Sequence, residues 1–175
     1  PYCGCFALLD CRVQQKEGKH LSRSIRPDRR DNFRIRKFHL RECMRCTTPR
    51  KFANLMIMKV QRWLRCDRVV GMPAKFFIDP TNICNLRCPL CPTGQGVLAR
   101  PRGRMALADF KRIVDEIAPY AYQVELYNWG EPLLHPEIFE MIEYVSQRRI
   151  SVRLSSNLNH LDANMARQLV LSGLD

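Results

Sequence analysis

Three strand–loop–helix units follow one another between residues 74 and 175, and this alternation constrains the fold more than any other feature of the sequence. The units begin with the short hydrophobic runs AKFFI, YQVELYNW and ISVRLSS. A polar segment and then an amphipathic helix pattern follow each run. Strands that alternate with helices build a parallel sheet covered by helices. The sequence therefore predicts an α/β fold, and three units fit part of a (β/α) barrel better than a closed domain.

The helix patterns also carry signals for where each helix begins and ends. PEIFEMIEYVSQRR opens with Pro136, and proline favours the first turn of a helix. In DANMARQLVLSG, Asp162 is a candidate N-cap, and Gly173 is a candidate stop just after the last turn. A three-stranded parallel sheet leaves an open edge, so we expect further units after Asp175.

The charge of the chain divides it into two parts. The net charge is +12, but residues 1–75 hold 19 Lys and Arg against 6 Asp and Glu, whereas residues 76–175 hold 10 against 11. We expect residues 1–52 to form a basic, largely irregular segment and residues 53–71 to form an amphipathic helix and linker. Residues 72–175 would then form the α/β domain.

The predicted helix runs from Asn54 to Val70 and has one apolar face. Its apolar residues are Met56, Ile57, Val60, Trp63 and Leu64. We expect this face to pack on the following domain. A helix that binds a membrane surface or a nucleic acid is the alternative.

The sequence contains neither a membrane span nor an export signal. No run of about eighteen apolar residues occurs, and the first residues lack the basic start and apolar core of a signal peptide. We expect a cytoplasmic protein, and we read the chain as a piece of a longer one because it has no initiator Met. In a reducing compartment, nine cysteines suggest metal or redox chemistry more than disulfides.

The loop after the first strand holds three cysteines in the spacing C-x3-C-x2-C, at Cys84, Cys88 and Cys91. A disulfide would use two thiols and leave the third unpaired. Structural zinc normally takes four protein ligands in two separated pairs, and no second C-x2-C or His pair stands near this loop. Cys43 and Cys46 form a C-x2-C some forty residues earlier, so a zinc site that uses them stays an open alternative. A [4Fe–4S] cluster held by three cysteines would leave one iron open, as a substrate-binding cluster requires.

Polar segments also follow the second and third strands, as NWGEP and LSSN. In barrels of this kind the chemistry lies at the carboxyl ends of the strands. The cysteine loop and these two segments are therefore expected to meet at one edge of the sheet and form a site.

The loop TNICNLRCPLC resembles the signature loop of radical S-adenosylmethionine (SAM) enzymes, and the resemblance extends over about residues 72–175. NWGEPLLHP is similar to the family's GGEP motif, and LSSN is similar to its polar segment after the third strand. The wider pattern is most similar to the branch that often carries a C-terminal SPASM domain. The resemblance implies the first three units of a (β/α)6 barrel.

This resemblance implies cofactors and roles for named residues. Cys84, Cys88 and Cys91 would bind three irons of a [4Fe–4S] cluster, and the fourth iron would bind SAM. Reductive cleavage of SAM would give a 5′-deoxyadenosyl radical that abstracts hydrogen from an unknown peptide or small molecule, with a flavodoxin or ferredoxin as electron donor. The expected SAM contacts are Leu90, Gly130, Glu131, Pro132, Ser155 and Asn157.

Several further residues are considered apart from the cluster and SAM. We take His135 as structural, and either Glu125 and Tyr127 or their neighbours must face the barrel interior. The resemblance gives no role to six further cysteines: Cys3, Cys5, Cys11, Cys43, Cys46 and Cys66.

The alternative function is a zinc-stabilised nucleic-acid-binding protein that uses Cys43, Cys46 and the basic segment. Under the first reading, nucleic acid is not an expected partner.

Overall fold

The computed structural model describes residue 41 and residues 44–175. The chain divides into two compact units, residues 1–47 and 48–175. In the first unit, Met44, Arg45 and Cys46 are helical, and Cys46 is buried. The predictions for the basic segment up to residue 40, and for Cys3, Cys5, Cys11 and Cys43, lie outside the described residues.

The second unit is built on a three-stranded parallel sheet, as the alternating pattern predicts. Strand β1 is Lys75–Ile78, β2 is Gln123–Leu126 and β3 is Ser151–Leu154. The spatial order is β1-β2-β3, the same as the order in the chain. The strands are in register, so Ile78, Leu126 and Leu154 end level with one another. The three loops that follow the strands therefore start from one straight edge.

Five α-helices and one 3-10 turn accompany the strands in the second unit. They are α1 (Pro49–Leu64), α2 (Pro92–Gln95), α3 (Leu107–Ile117), a 3-10 turn (Pro132–Leu134), α4 (Ile138–Gln147) and α5 (Ala163–Leu171). Within the described residues, none of these helices is both long enough and apolar enough to cross a membrane.

The core lies between one face of the sheet and helices α3 and α4. Val124, Leu126 and Val152 point from the strands toward Phe110 on α3 and Ile142 on α4, and all five are fully buried. Burying such a side chain contributes about 1.5–3 kcal/mol relative to leaving it in water. Side chains alternate along a strand, so the opposite face of the sheet carries the strand residues that lie between these core residues in sequence, such as Glu125.

Two of the three predicted helix-end signals have the expected geometry. The Asp162 carboxylate accepts a hydrogen bond from Met165 N at 2.7 Å, and Gly173 has φ +82° just after α5. Pro136 instead lies in the turn before α4, which begins at Ile138. The reason is local. Glu137 N donates to His135 Nδ1 at 3.1 Å, and this bond belongs to a turn over residues 135–137 that precedes the helix.

Helix α1 differs from its prediction in both its bounds and its buried face. It runs from Pro49 to Leu64, and Trp63 is 81% exposed. The buried residues are Lys51, which donates to Arg149 O at 2.7 Å, and Asn54. The Asn54 amide donates to Met72 O at 2.7 Å and accepts from Met72 N at 2.9 Å. The helix thus meets backbone groups at the starts of β1 and β3, which need polar partners, so its polar face is the buried one.

Candidate active site

The cysteine loop spans residues 79–106 between β1 and α3, and its two ends are joined. Thr81 pairs with Arg104 in an antiparallel bridge, and Thr81 Oγ1 donates to Gly103 O at 2.9 Å. Asn82 donates through its side-chain amide to Pro101 O at 2.8 Å and accepts from Gly103 N at 2.7 Å. These hydrogen bonds hold the two ends of the long loop together.

Backbone N–H groups point at two of the three thiols in this loop. Leu86 N lies 3.4 Å from Cys84 Sγ and donates to it. A hydrogen bond from the backbone of Gly94 lowers the pKa of the Cys91 thiol, with further help from Thr93. Donors of this kind stabilise the thiolate form, which is the form that binds metals.

The cysteine loop is closely packed at Gly94 and exposed at Leu90. A Cβ at Gly94 would stand 2.6 Å from Cys88 N and 2.7 Å from Cys88 O, so only glycine allows this approach. Leu90 is 94% exposed at the tip. No three His, Cys, Asp or Glu side chains within residues 44–175 are placed to hold a metal ion. The loop thus carries the three thiols without arranging them as ligands in this part of the chain.

The segment after β2 is attached to the start of the cysteine loop. Glu131 N donates to Ile83 O at 2.8 Å. A Cβ at Gly130 would lie 1.8 Å from Thr81 O and 3.1 Å from Ile83 O. The close approach that requires glycine at position 130 is therefore to the backbone of the cysteine loop.

The Glu131 side chain joins the second and third polar segments. It is buried, and it accepts hydrogen bonds from Leu133 N at 3.1 Å, Ser156 Oγ at 2.6 Å and Asn157 N at 2.7 Å. Glu131 was expected to contact SAM, and this role of its carboxylate was not predicted from the sequence. Ser156 was not predicted either, because a short polar segment of sequence does not show which serine hydroxyl points toward Glu131.

Asn157 reaches the cysteine loop itself. Its side-chain amide donates to Asn85 Oδ1 at 2.9 Å and lies 3.9 Å from Cys84 Sγ. Ser155, by contrast, is exposed. All three predicted segments therefore meet at the carboxyl edge of the sheet, as expected, but with Ser156 rather than Ser155 in the connecting network.

His135 has the structural role predicted for it. The ring is buried, with Nδ1 accepting from Glu137 N and Nε2 lying 3.0 Å from Met105 O. Since Met105 O can only accept, Nε2 carries the proton. The ring joins the end of the cysteine loop to the start of α4, and Pro132 lies nearby, buried in the 3-10 turn.

Asp79, at the start of the cysteine loop, was not predicted. Burial raises the pKa of its carboxyl, against the opposing effects of Trp129 N, Arg100 and Gly130 N. Oδ2 lies 3.4 Å from Trp129 N and 3.5 Å from Arg100. Oδ1 is buried and has no hydrogen-bond partner among the residues that the structure describes. Its only sequence signal is its place immediately after a strand.

The family model described as "Radical SAM superfamily" matches residues 78–175, which is more than half of the chain. The chain belongs to the radical SAM superfamily. This match covers the cysteine loop and the two segments joined to it, and it does not favour the alternative of a zinc-stabilised nucleic-acid-binding protein.

Curated relatives of the chain include several enzymes of this superfamily. The chain is 29% identical over 91 residues to the AdoMet-dependent heme synthase of Methanosarcina barkeri, a match covering 52% of this chain and 26% of that protein. It is 27% identical over 103 residues to the mycofactocin maturase MftC of Mycobacterium tuberculosis, covering 59% and 26%. It is 26% identical over 109 residues to the PqqA peptide cyclase of Streptomyces rochei, covering 62% and 30%. The chain thus spans less than a third of the length of these relatives.

A solved structure supports the barrel fold. The structure of BtrN in complex with AdoMet and 2-DOIA matches with a TM-score of 0.52 at 18% identity, and the match covers 59% of this chain and 43% of that one. The parallel sheet of this chain is therefore part of a radical SAM barrel, as the sequence resemblance implies.

The cofactors of radical SAM enzymes are a [4Fe–4S] cluster and SAM, and the residues of the cysteine loop suit the cluster. Three thiols stand in one loop, and backbone N–H groups already point at Cys84 and Cys91. Iron–sulfur clusters are held by thiolates and tuned by such hydrogen bonds. Because a metal centre itself draws its ligands together, the loop need not have ligand geometry beforehand.

Proposed function

We propose that residues 72–175 are the cluster-binding part of a radical SAM enzyme, preceded by a basic segment at 1–52 and a helical linker at 53–71. Cys84, Cys88 and Cys91 would hold three irons of a [4Fe–4S] cluster. When bound, the cluster and SAM supply the chemistry of the family, in which one electron cleaves SAM and the resulting 5′-deoxyadenosyl radical removes hydrogen from a substrate.

One observation carries this proposal: the cysteine loop is bonded directly to the segments that follow the other two strands. Glu131 N reaches Ile83 O, and the Asn157 amide reaches Asn85. A structural metal loop would need no such contacts with two neighbouring strand ends. A loop that must hold a cofactor in a fixed position over the sheet does need them.

The residues of this chain would bind and orient the cofactors. Glu131 would keep its carboxylate on the segment after β3 and so hold Asn157 beside Cys84. The proposed SAM contacts after β3 are Ser155, whose side chain is exposed, and Asn157, whose amide donates to Asn85 in this structure. Exposed Leu90 would contact SAM through its backbone, as would the short segment Gly130 to Pro132.

The partners follow from the same proposal. The substrate would be a peptide or a small molecule, since the relatives include a peptide cyclase as well as a heme synthase. A small one-electron donor such as flavodoxin or ferredoxin would reduce the cluster. These donors and the thiolate ligands are typical of a reducing compartment, so we place the protein in the cytoplasm.

The test compares two cysteine variants of the full-length protein after anaerobic reconstitution with iron and sulfide. Cys88→Ala should lose the cluster and all cleavage of SAM, because two thiolates do not hold a cluster with one defined open iron. Cys66→Ala removes an exposed cysteine outside the loop and serves as the matched control. Iron, labile sulfide and 5′-deoxyadenosine are measured after addition of SAM and a one-electron reductant.

Two results would contradict the proposal. The first is a reconstituted protein that contains zinc without iron or labile sulfide. The second is a Cys88→Ala protein that retains the cluster and cleaves SAM as fast as the Cys66→Ala control.

A further inference from the structure

The sheet face opposite the helices carries a layer of polar and aromatic side chains. We call this the inner face and define it as Lys75 and Phe77 on β1, Glu125 and Tyr127 at β2, and Arg153 on β3. Phe77, Glu125 and Arg153 are paired in one row across the three strands. Their neighbours Val124, Leu126 and Val152 belong to the core on the other side, which settles that Glu125 and Tyr127 face the barrel interior.

Glu125 already has its full set of partners on this face. Its carboxylate lies 2.5 Å from Lys75 Nζ and accepts from Gln123 Nε2 at 2.6 Å. Burial opposes its ionisation, but hydrogen bonds from Lys75 and Tyr127 and the charges of Lys75 and Arg153 hold the pKa of Glu125 below its ordinary value. Glu125 is therefore a fixed negative charge, and it is poorly suited to act as a general base.

Arg153 is in a different situation. Its side chain is half-buried, and its charge acts on the Glu125 carboxylate. Among the described residues it forms no ion pair or hydrogen bond of its own. A guanidinium carries five N–H donors in a planar fork that matches a carboxylate. With Lys75, Glu125 and Arg153 together, the inner face has a net charge of +1, so it favours a ligand with one negative charge.

An apolar surface lies beside this charge. The rings of Phe77 and Tyr127 meet edge to face with their centroids 5.7 Å apart, and Phe77 is 58% exposed. An exposed aromatic side chain inside a barrel offers a contact for an apolar or aromatic group. Lys75 Nζ lies 4.7 Å from the centroid of the Phe77 ring, so one side of this ring already contacts a cation. The inner face thus combines a guanidinium that has no hydrogen-bond partner among residues 44–175 with a partly exposed aromatic pair.

We propose that the inner face is a substrate subsite in which Arg153 binds a carboxylate and the Phe77–Tyr127 pair contacts the apolar group that bears it. The row of Phe77, Glu125 and Arg153 lies one residue before the strand ends. A ligand bound there lies directly below the cysteine loop and the segments joined to it. This inference rests on the proposed function, because it places the substrate next to the cofactors. The net charge of +1 favours a carboxylate over a dianionic phosphate.

The test uses phenylacetate as the probe, because it joins one carboxylate to one aromatic ring. Its neutral counterpart phenylacetamide has nearly the same shape. Binding to the full-length protein is measured by ligand-observed NMR without reductant. Phenylacetate should bind and phenylacetamide should bind at least ten-fold more weakly, since an unpaired charged donor on a half-buried face costs a charge-assisted bond.

Variants assign the binding to Arg153. Arg153→Met should weaken phenylacetate about ten- to a hundred-fold, and Arg153→Lys should give an intermediate loss because it keeps the charge without the planar fork. Phe77→Ala should weaken both probes alike. The control is Arg167→Met, which removes an exposed arginine on α5 and should leave binding unchanged.

Several results would overturn the inference: no binding of phenylacetate, equal binding of phenylacetamide, or unchanged binding by Arg153→Met. Stronger competition by inorganic phosphate than by acetate would overturn the assignment of a carboxylate. The outcome is separable from that of the proposed function. A protein that cleaves SAM but does not bind phenylacetate contradicts only this inference, and one that binds phenylacetate without holding iron contradicts only the proposed function.

Discussion

Replacing Gly130 with alanine tests whether the cysteine loop is held by the segment after β2. The new Cβ would stand 1.8 Å from Thr81 O, whereas ordinary C···O contacts begin at about 3.3 Å. The two backbones must therefore separate by about 1.5 Å, taking the difference between that contact distance and the distance in the structure. Since the backbone fixes the position of Cβ and the atom that it meets is a backbone oxygen, no side-chain rotation relieves the clash.

The cost of this separation has two parts. Overpacking of a tight contact costs about 1–3 kcal/mol. Loss of the hydrogen bond from Glu131 N to Ile83 O adds about 1 kcal/mol. We therefore expect the cysteine loop to be destabilised by about 2–4 kcal/mol, which corresponds to roughly 30- to 1,000-fold faster local opening.

Hydrogen exchange measured by mass spectrometry reports this opening for the peptides that cover residues 79–106 of the full-length protein. Gly103→Ala is the matched control, because a Cβ there meets no atom within 4 Å. If Gly130→Ala exchanges no faster than Gly103→Ala across this loop, the attachment does not stabilise the loop and the reasoning fails.

Two further predictions concern polar side chains that connect separate parts of the chain. Ser156→Ala should destabilise the segment after β3 by about 1–3 kcal/mol, because it removes a donor to the buried Glu131 carboxylate. Ser155→Ala should change the stability of this segment little. Equal rates of hydrogen exchange at residues 154–159 in the two variants would contradict this prediction. Asn54→Ala should lower the free energy of unfolding by about 1–3 kcal/mol, because it leaves a backbone donor and acceptor before β1 without their partner. The exposed Trp63→Ala on the same helix should stay within about 0.5 kcal/mol of the wild type in thermal unfolding, and a larger loss there than at Asn54 would show that the apolar face is the packed one.

Much of the fold follows from local patterns that the sequence displays directly. The strands β1 to β3 and the helices after them are each encoded by adjacent residues, so hydrophobic spacing alone predicts them. Asp162 and Gly173 mark their helix ends because capping depends on residues within one turn. The meeting of the three polar segments also follows, since parallel strands in register must end at one edge.

The rest depends on contacts between residues distant in the chain, which local spacing does not encode. Helix α1 was assigned the wrong buried face because its partners are backbone groups at strand starts, and these favour Lys51 and Asn54 over apolar residues. Ser156 and Ser155 cannot be distinguished in sequence, because their roles differ only through the position of Glu131. The need for glycine at position 130 likewise follows only from the contact with Thr81, which is distant in the sequence.

The order of the strands in space has a consequence for how the protein is made. Because β1, β2 and β3 are neighbours in the order in which they leave the ribosome, each new strand can pair with the one before it as synthesis proceeds. The cysteine loop emerges early, but its contact with Glu131 forms only after β2 has emerged, and its contact with Asn157 only after β3. Iron delivered to the nascent chain would therefore meet the three thiols before the loop has its final supports. Insertion of the cluster after residue 157 has been released would give the loop its full set of contacts at the moment of loading.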